Sequence, residues 1–322
     1  MNSRTRHSNS ISFFVVLALF LGLFMGIPAS CTAQQTTLTR PLTPTQLLTV
    51  AESGDAVAQH RLARFMLRHN PSSEDVQTGL KWLRASVAQN NPDAEFYLGY
   101  LYEHGQFVPR DYGLAMQNYQ AAAKQQYAPA ENNIASLYQH GQGVKKNPGK
   151  ASEWYLAAAQ HGNAVGQINL ANMYYGGEGV ARDYGQTIYW LRKSAETGFP
   201  DAENNLAYFY FTGIGIQQDY TEAARLIRLA AEQNLAAAET SLGYLYELGK
   251  GVPLDYVAAY SWYSRGAAGG DHIGEVHRKQ LARIMTKKQV DEANTLTAVA
   301  TTESPIPITL PVGNTSFSLL NH

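Results

Sequence analysis

Small and apolar residues recur along this chain at a spacing that predicts pairs of α-helices repeated every 36 residues. In each unit a small residue, an aliphatic residue and a tyrosine follow one another at intervals of four, which places them on one stripe of a helix. The members of these columns are Ala94, Leu98 and Tyr102; Ala130, Ile134 and Tyr138; Gly166, Leu170 and Tyr174; Ala202, Leu206 and Tyr210; and Ala238, Leu242 and Tyr246. Fixed self-similarity at this period predicts a solenoid, in which each repeat packs on its neighbours.

A turn and a second helix complete each unit, so we call the two helices helix A and helix B. A glycine stands three residues after each tyrosine, and glycine ends a helix by adopting a positive φ. A capping residue follows, whose side-chain oxygen can accept a hydrogen bond from the first N–H groups of helix B. These predicted N-caps are Asp111, Asn147, Asp183, Asp219 and Asp255, with Asp75 at the same position one unit earlier. All four tryptophans share one helix B position, which we expect to lie in the core between repeats: Trp82, Trp154, Trp190 and Trp262.

The repeat register divides the chain into five segments. Residues 1–33 are interpreted as a signal peptide, and residues 34–54 as a leader with a half-repeat helix. Residues 55–270 hold six repeats, of which the first is degenerate because its turn lacks glycines. Residues 271–300 are expected to form capping helices that close the hydrophobic stack, and residues 301–322 a disordered tail.

The signal-peptide interpretation rests on the order of residue types at the start of the chain. Arg4 and Arg6 precede an uncharged run from Ile11 to Ile27, and small residues follow. The run has 17 residues, the short limit for a membrane span, so an uncleaved anchor is the alternative. We therefore expect a periplasmic or secreted protein.

Cys31 is the only cysteine of the sequence, so it cannot form a disulfide within the chain. The stretch from Ile27 to Cys31 resembles the bacterial lipobox, in which the cysteine becomes the lipidated first residue. Pro28 departs from that pattern, which has an aliphatic residue at this position. Lipidation of Cys31 and cleavage after Ala33, which would discard the cysteine, both remain open.

Composition excludes one broad class of partner. The 322 residues include 25 basic and 26 acidic side chains, giving a net charge of −1. A nearly neutral chain without clusters of lysine and arginine lacks the electrostatic footprint of a nucleic-acid-binding protein. We expect a monomer that meets a membrane only through the signal segment or a lipid anchor at Cys31.

The unit resembles the Sel1-like repeat, a relative of the tetratricopeptide repeat. Residues 246–255, Tyr-Glu-Leu-Gly-Lys-Gly-Val-Pro-Leu-Asp, nearly reproduce the consensus turn of that family. The resemblance covers residues 55–270, with local departures at Phe107, Thr187 and Ile216. It implies an all-α, right-handed superhelical α/α solenoid. It also implies a non-enzymatic adaptor that holds partner peptides or domains on its concave face. A scaffold for cell-envelope or polysaccharide assembly is the alternative.

An enzyme is a further alternative, because some secreted relatives have been named β-lactamases. The serine nucleophile of that class needs a lysine one helical turn later, yet the sequence contains no Ser-x-x-Lys and no Lys-Thr-Gly. It also lacks His-Glu-x-x-His, Gly-x-Ser-x-Gly and a phosphate-binding loop. His104 and His140 share a column, but no cysteine or carboxylate column accompanies them. We predict no catalytic residue, no cofactor and no metal site.

Two columns of helix A are the candidate contacts for a protein or peptide partner. The first contains Asn133, Asn169 and Asn205, with Asn172 one turn further on, and amides can hydrogen-bond the backbone of an extended peptide. The second contains Tyr100, Tyr208 and Tyr244, and tyrosine is enriched at protein interfaces. Alternatively, the asparagines bond within the scaffold and the superhelix covers the tyrosines.

Overall fold

The computed structural model describes residues 43–68, 70–303 and 319, with the backbone alone given for residues 299–303. The proposed signal segment and Cys31 lie outside the described residues, as does most of the tail. Within the described parts the chain forms 15 α-helices and no strand. The helices are α1 (Pro44–Glu52), α2 (Ala56–Met66), α3 (Ser73–Val87), α4 (Pro92–His104), α5 (Tyr112–Ala123), α6 (Ala128–His140), α7 (Pro148–Gln160), α8 (Ala164–Gly176), α9 (Tyr184–Ala195), α10 (Pro200–Thr212), α11 (Tyr220–Glu232), α12 (Ala236–Leu248), α13 (Tyr256–Ala268), α14 (His272–Leu281) and α15 (Lys287–Glu303).

These helices form an α/α solenoid, as the periodicity predicts. Even-numbered helices from α2 to α12 are helix A of repeats 1 to 6, and α3 to α13 are the matching helix B. Each helix packs on its partner and on the helix that follows it in the chain. Across the row of A helices, α6 contacts α8 and α12 contacts α14, and we call this row the inner row. None of the described helices is both long and apolar enough to cross a membrane.

The predicted N-caps of helix B form in repeats 2 to 6. For example, the Asp111 and Asp183 side chains accept hydrogen bonds from the N–H groups of Leu114 and Gln186 at 2.9 and 3.0 Å. The prediction is wrong for repeat 1, where Ser72 is the N-cap and Asp75 lies three residues inside the helix. Their side chains cap each other's backbone N–H groups. The helix therefore begins one turn earlier than the register predicts.

The ends of the array differ in detail from their predictions. The spacing of the half-repeat helix predicts that Leu47, Leu48 and Ala51 point inward; in α1 Leu47 and Ala51 are buried, but Leu48 is 39% exposed. At the other end, Thr286 and Gln289 have the sequence spacing of a capping box and form one that opens α15. This helix continues to Glu303, beyond residue 300, where the predicted capping helices end, so the first tail residues are helical.

The deepest helix B side chains are one residue beyond the tryptophan column. Trp190 is 9% exposed and the other three tryptophans are only half-buried. The following position is at most 2% exposed in repeats 2 to 6, where it is occupied by Tyr119, Tyr155, Leu191, Ile227 and Tyr263. One residue further rotates a side chain by about 100°, which turns this column toward helix A of the same repeat. The tryptophan column therefore does not form the centre of the core.

Three of these buried positions are tyrosines whose hydroxyl groups bind helix A. Tyr119 donates to Glu103 at 2.5 Å, and Tyr263 donates to Glu247 at 2.5 Å. The Tyr155 hydroxyl donates to Gln139 at 2.8 Å. A buried hydroxyl needs such a partner, so the acceptor near the end of helix A stabilises the pairing of the two helices.

In the turns of repeats 3 to 6 a second glycine stands two residues after the first, and it lies against the preceding repeat. At Gly179 the backbone has φ +72°, and an added Cβ atom would lie 2.3 Å from the carbonyl oxygen of Pro148. The equivalent distance at Gly251 is 1.9 Å to the carbonyl oxygen of Tyr220. Gly143 and Gly215 are similarly close to side-chain atoms of the preceding helix B. Glycine is therefore needed for both its conformation and its lack of a side chain.

We predict that Gly179→Ala destabilises the protein more than Gly177→Ala. Both glycines have nearly the same positive φ, +72° and +71°, so both substitutions strain the backbone by about 1–2 kcal/mol. A Cβ at Gly177 would meet its nearest neighbour, Arg182, at 3.4 Å, whereas a Cβ at Gly179 overlaps the adjacent repeat. The overlap should add about 1–3 kcal/mol. Urea unfolding of the two variants measures the difference, and equal losses would show that the inter-repeat contact is unimportant.

Candidate functional site

Two positions of helix A recur along the inner row of helices, and we call the face that they mark the inner face. They are three residues apart, so they are neighbours on the helix surface. The first position is occupied by Arg61, Tyr97, Asn133, Asn169, Asn205 and Ser241, and the second by Arg64, Tyr100, Ser136, Asn172, Tyr208 and Tyr244. All seven predicted contact residues lie on this face. Arg61 and Arg64 are missing from the prediction, although counting back one repeat from Tyr97 and Tyr100 reaches them.

The predicted asparagine ladder makes hydrogen bonds inside the scaffold. The Asn133 amide donates to the Tyr119 hydroxyl at 3.0 Å and accepts from Asn132 at 3.2 Å. Asn132 also accepts from Asn169 at 3.0 Å, which links repeats 3 and 4. These bonds use part of the hydrogen-bonding capacity of each amide. The asparagines therefore hold neighbouring repeats in register, and only their remaining polar atoms are available to a ligand.

The three predicted tyrosines lie in different surroundings. Tyr100 is half-buried and stacks on His104, with ring centroids 4.0 Å apart. Tyr244 is half-buried, and the His277 ring lies edge-on to it at 6.1 Å. Tyr208 is only 3% exposed, and burial raises its pKa to about 12. The solenoid places these tyrosines in repeats 2, 6 and 5, so they share a surface but do not form one cluster.

Burial of the inner face changes along the array. Asn133 and Asn169 are half-buried, but Asn205 at the equivalent position of repeat 5 is fully buried. Every residue of α10 from Ala202 to Phe209 is buried, so this helix is covered on all sides. The inner face is thus partly open in repeats 2 to 4 and covered in repeat 5, while in repeat 6 Ser241 is buried and Tyr244 is half-buried.

The inner face is positively charged in repeat 1. Arg61 and Arg64 are exposed on α2, and Arg68 is exposed just beyond its end; with His60 and Asp93 they line a cavity of about 270 Å³. Among the described residues none of these arginines forms an ion pair, and the Arg64 guanidinium lies 5.6 Å from the centre of the Tyr97 ring. Burial lowers the pKa of His60 below its ordinary value of 6.5; Asp93 opposes this shift, and Arg64 and Arg61 add to it, so the ring is mostly neutral at pH 7. The positive charge of this cavity therefore comes from the arginines.

A buried column of acidic and amide side chains was not predicted from the sequence. It follows the small residue of helix A by one position and is 3–6% exposed. Its members are Gln59, Glu95, Glu131, Gln167, Glu203 and Glu239. Four of them accept a hydrogen bond from the side chain 30 residues later: Gln59 from Gln89 at 2.9 Å, Glu95 from Gln125 at 3.1 Å, Glu131 from His161 at 2.8 Å and Glu203 from Gln233 at 3.0 Å.

This column ties the end of helix B to helix A, and Glu239 does so through Arg265, whose Nε donates to it at 2.9 Å. Burial raises the pKa of Glu95 and Glu239, and raises the pKa of Glu203 to about 7. Arg225 and the Gln233 amide oppose the shift at Glu203 but do not cancel it. The recurrence of Glu or Gln at this position was visible in the sequence. Because glutamate is usually exposed, the recurrence did not indicate that the position is buried.

We predict that Glu203→Gln stabilises the protein at pH 8 but not at pH 5. The folded-state pKa of about 7 lies above the ordinary value of 4.5, so the native state binds the extra proton between these values. The contribution of the protonated Glu203 side chain to the stability of the folded state is fully present below pH 4.5 and is lost as the pH rises through 7. Since solvent screens part of the charge, the gain at pH 8 should be about 1–2 kcal/mol.

Thermal unfolding at both pH values measures this gain. Glu232→Gln, at the end of α11, is the matched control because Glu232 is exposed and the change of side chain is the same. An equal effect of the two substitutions at pH 8 would contradict burial as the cause.

The stacked helix pairs and their inner face define a helical-repeat protein. Six consecutive segments match the family described as Sel1 repeat, at residues 56–91, 92–127, 128–163, 164–199, 200–235 and 236–271. Each matched segment begins one residue after the corresponding predicted unit. Together they cover more than half of the sequence, so the chain belongs to the Sel1 repeat family.

Solved structures of other Sel1 repeat proteins resemble this one. A Sel1 repeat protein from Oxalobacter formigenes is 26% identical, with a TM-score of 0.64 over 79% of this chain and 99% of that chain. The protective antigen c5321 of uropathogenic Escherichia coli, which displays the same fold, is 23% identical, with a TM-score of 0.42 over 84% of each chain. Comparison of the sequence with curated proteins found no significant match.

The family gives a general function. Sel1 repeat proteins generally mediate protein–protein interactions, and the repeat is a scaffold fold rather than a catalytic one. Within the described residues no group of three or more histidine, cysteine, aspartate or glutamate side chains is placed to hold a metal ion.

Proposed function

We propose that this protein is a non-enzymatic adaptor that binds partner proteins or peptides along the inner face of repeats 1 to 4. The observation that carries the proposal is the pair of inner-face arginines, Arg61 and Arg64, which are exposed and form no ion pair among the described residues. Half-buried aromatic and amide side chains continue the same face into repeats 2 to 4. The face therefore offers charge, aromatic surface and amide groups in a fixed order.

The dimensions of the inner face suit an extended segment. Packed helices lie about 10 Å apart, and an extended chain advances about 3.3 Å per residue. One repeat therefore corresponds to about three residues of an extended partner, and four repeats to about 12. The regular spacing of the A helices would let side chains of such a segment meet successive repeats.

Charge complementarity specifies one end of the partner. The segment that meets repeat 1 should carry aspartate, glutamate or a terminal carboxylate, because guanidinium groups bind carboxylates with two parallel hydrogen bonds. Partners that contact only the amide and aromatic part would gain nothing from the arginines. An acidic segment is therefore the class of ligand that this face distinguishes best.

We predict that Arg61→Glu/Arg64→Glu reduces partner capture from the native envelope fraction at least tenfold. The double substitution replaces attraction of an acidic segment with repulsion at the centre of the cationic cavity. Crosslinking followed by affinity capture and quantitative mass spectrometry measures the loss. Capture by the unaltered protein should also weaken as salt rises, because exposed charges are screened.

Lys287→Glu/Lys288→Glu is the matched control for this experiment. It makes the same change in net charge on exposed residues at the start of α15, at the opposite end of the array. Equal losses in the two variants would show that net charge rather than the inner face controls capture. Unchanged capture by the arginine variant would contradict the proposed site.

We further propose that the protein is exported. The support is the order of basic, apolar and small residues in positions 1–33, which is typical of a secretory signal. The two processing alternatives give different mature proteins, since one begins with a lipidated Cys31 and the other has lost this residue.

We predict that the mature protein from the envelope fraction begins either at Cys31 with added lipid or at Gln34 without a cysteine. Intact-mass measurement distinguishes the two directly. Cys31→Ser should abolish the lipidated form and leave the other form unaffected. An intact chain still starting at Met1 and found in the cytoplasm would contradict export.

A further inference from the structure

Leu319 lies far beyond the last repeat in sequence, yet it is part of the hydrophobic core. It follows Glu303, the last residue of α15, by 16 positions and is 8% exposed. It belongs to the hydrophobic cluster that runs through the central and C-terminal repeats, from Ala135 to Leu245. A leucine so distant in sequence reaches such a cluster only if its segment packs back onto the solenoid. A chain of 16 residues can span at most about 55 Å, which is sufficient to reach several repeats.

The burial pattern points to the inner face of repeat 5 as the docking surface. Asn205 and Tyr208 are 0% and 3% exposed, although their equivalents in repeat 4, Asn169 and Asn172, are half-buried. In repeat 6, Ser241 is also 0% exposed, whereas Tyr244 is half-buried. Repeat 4 shares the same scaffold, so the scaffold alone does not explain the additional burial at repeat 5. Among the described residues, Leu319 is the buried member of the cluster containing Tyr208 that lies outside the helices.

The sequence around Leu319 is compatible with an apolar, amide-lined surface. Residues 304–322 contain no lysine, arginine, aspartate or glutamate. Docking this segment therefore requires no charged side chain to be removed from water, which would be costly. Leu319 supplies an apolar anchor, and the neighbouring positions are rich in serine, asparagine and leucine.

We propose that the inner face of repeat 5 is a peptide-binding groove with a leucine pocket, and that the chain's own C-terminal segment occupies it in the free protein. We define the C-terminal segment as residues 313–322. Because it is tethered, its effective concentration near the groove is in the millimolar range, so even weak binding keeps it docked. A partner that uses this groove must displace it. This inference extends the proposed adaptor function by adding an intramolecular competitor.

The test uses the full chain and a fluorescent synthetic peptide with the sequence of residues 313–322. The peptide should bind Leu319→Ala at least ten times more tightly than it binds the unaltered protein, since the tethered competitor is weakened. Leu296→Ala is the matched control, because Leu296 is a 49% exposed leucine of α15, and it should behave like the unaltered protein. A peptide carrying alanine in place of its own Leu319 should bind at least ten times more weakly.

Three results would overturn the proposal. The first is equal peptide affinity for the unaltered protein and Leu319→Ala, and the second is no binding to either. The third is a concentration-dependent dimer in sedimentation experiments that Leu319→Ala converts to a monomer, because the segment would then come from a second copy. Leu319 lies outside the helices, so the variant is expected to fold, and its helicity can be checked by circular dichroism.

Partner capture separates this proposal from the adaptor function. If Leu319→Ala binds the peptide more tightly but neither it nor the unaltered protein captures any partner, the result supports the groove and contradicts the adaptor function. If both capture the same partners to the same extent while the peptide binds neither, the adaptor function stands and the competitor is excluded.

Discussion

The close approach of the turns in repeats 3 to 6 to the preceding helix B is the constraint on which this solenoid depends. At Gly179 and Gly251 the backbone of one repeat lies against a carbonyl group of the previous repeat, with no space for a Cβ atom. Such a contact has little freedom to slide, because backbone atoms cannot change rotamer as side chains do. It therefore fixes the rotation and translation from one repeat to the next. The even spacing of the A helices, and hence of the inner face, follows from this contact.

Hydrogen bonds between polar groups buried among the helices favour this one pairing of the helices over slipped alternatives. The Glu or Gln column binds the end of helix B, and the tyrosine hydroxyls bind the end of helix A. An unpaired buried polar group costs about 1–3 kcal/mol, so a slipped pairing that breaks these bonds is disfavoured. The asparagines of repeats 3 and 4 belong to this network as much as to a binding surface. The proposed recognition therefore rests on inner-face residues that the scaffold does not use, above all Arg61 and Arg64.

The fold could be predicted from the sequence because local signals and the long-range period agree. Glycine, capping residue and apolar stripe each mark the same boundaries, and five copies remove the ambiguity that one copy would have. The seven predicted contact residues also share one face, as helical spacing requires. The residue types at a repeat position do not show whether the surface at that position is exposed or covered. The sequence did not show that Asn205 is covered while Asn169 is partly open, since both occupy the same column.

The same limit explains the other differences between expectation and structure. The tryptophans were expected in the core between repeats, where they do pack, but the spacing did not show that the next residue lies deeper, because depth depends on a rotation of about 100° between adjacent residues. The buried glutamates were overlooked because residue type suggests exposure, and only the partner 30 residues away explains their burial. Leu319 lies in a stretch with no helical period, which composition alone assigns to disorder. Contacts between distant segments decide all three cases.

A tethered C-terminal segment would make the adaptor selective through simple competition. Burying one leucine is worth about 1.5–3 kcal/mol, which corresponds to roughly a 10- to 150-fold advantage over an undocked segment. A partner that contacts repeat 5 alone would have to exceed this advantage unaided. A partner that also reaches the arginines of repeat 1 gains affinity from contacts that the C-terminal segment does not make. Binding would then favour long segments that are acidic at one end and apolar at the other, because both ends must be engaged to displace the competitor.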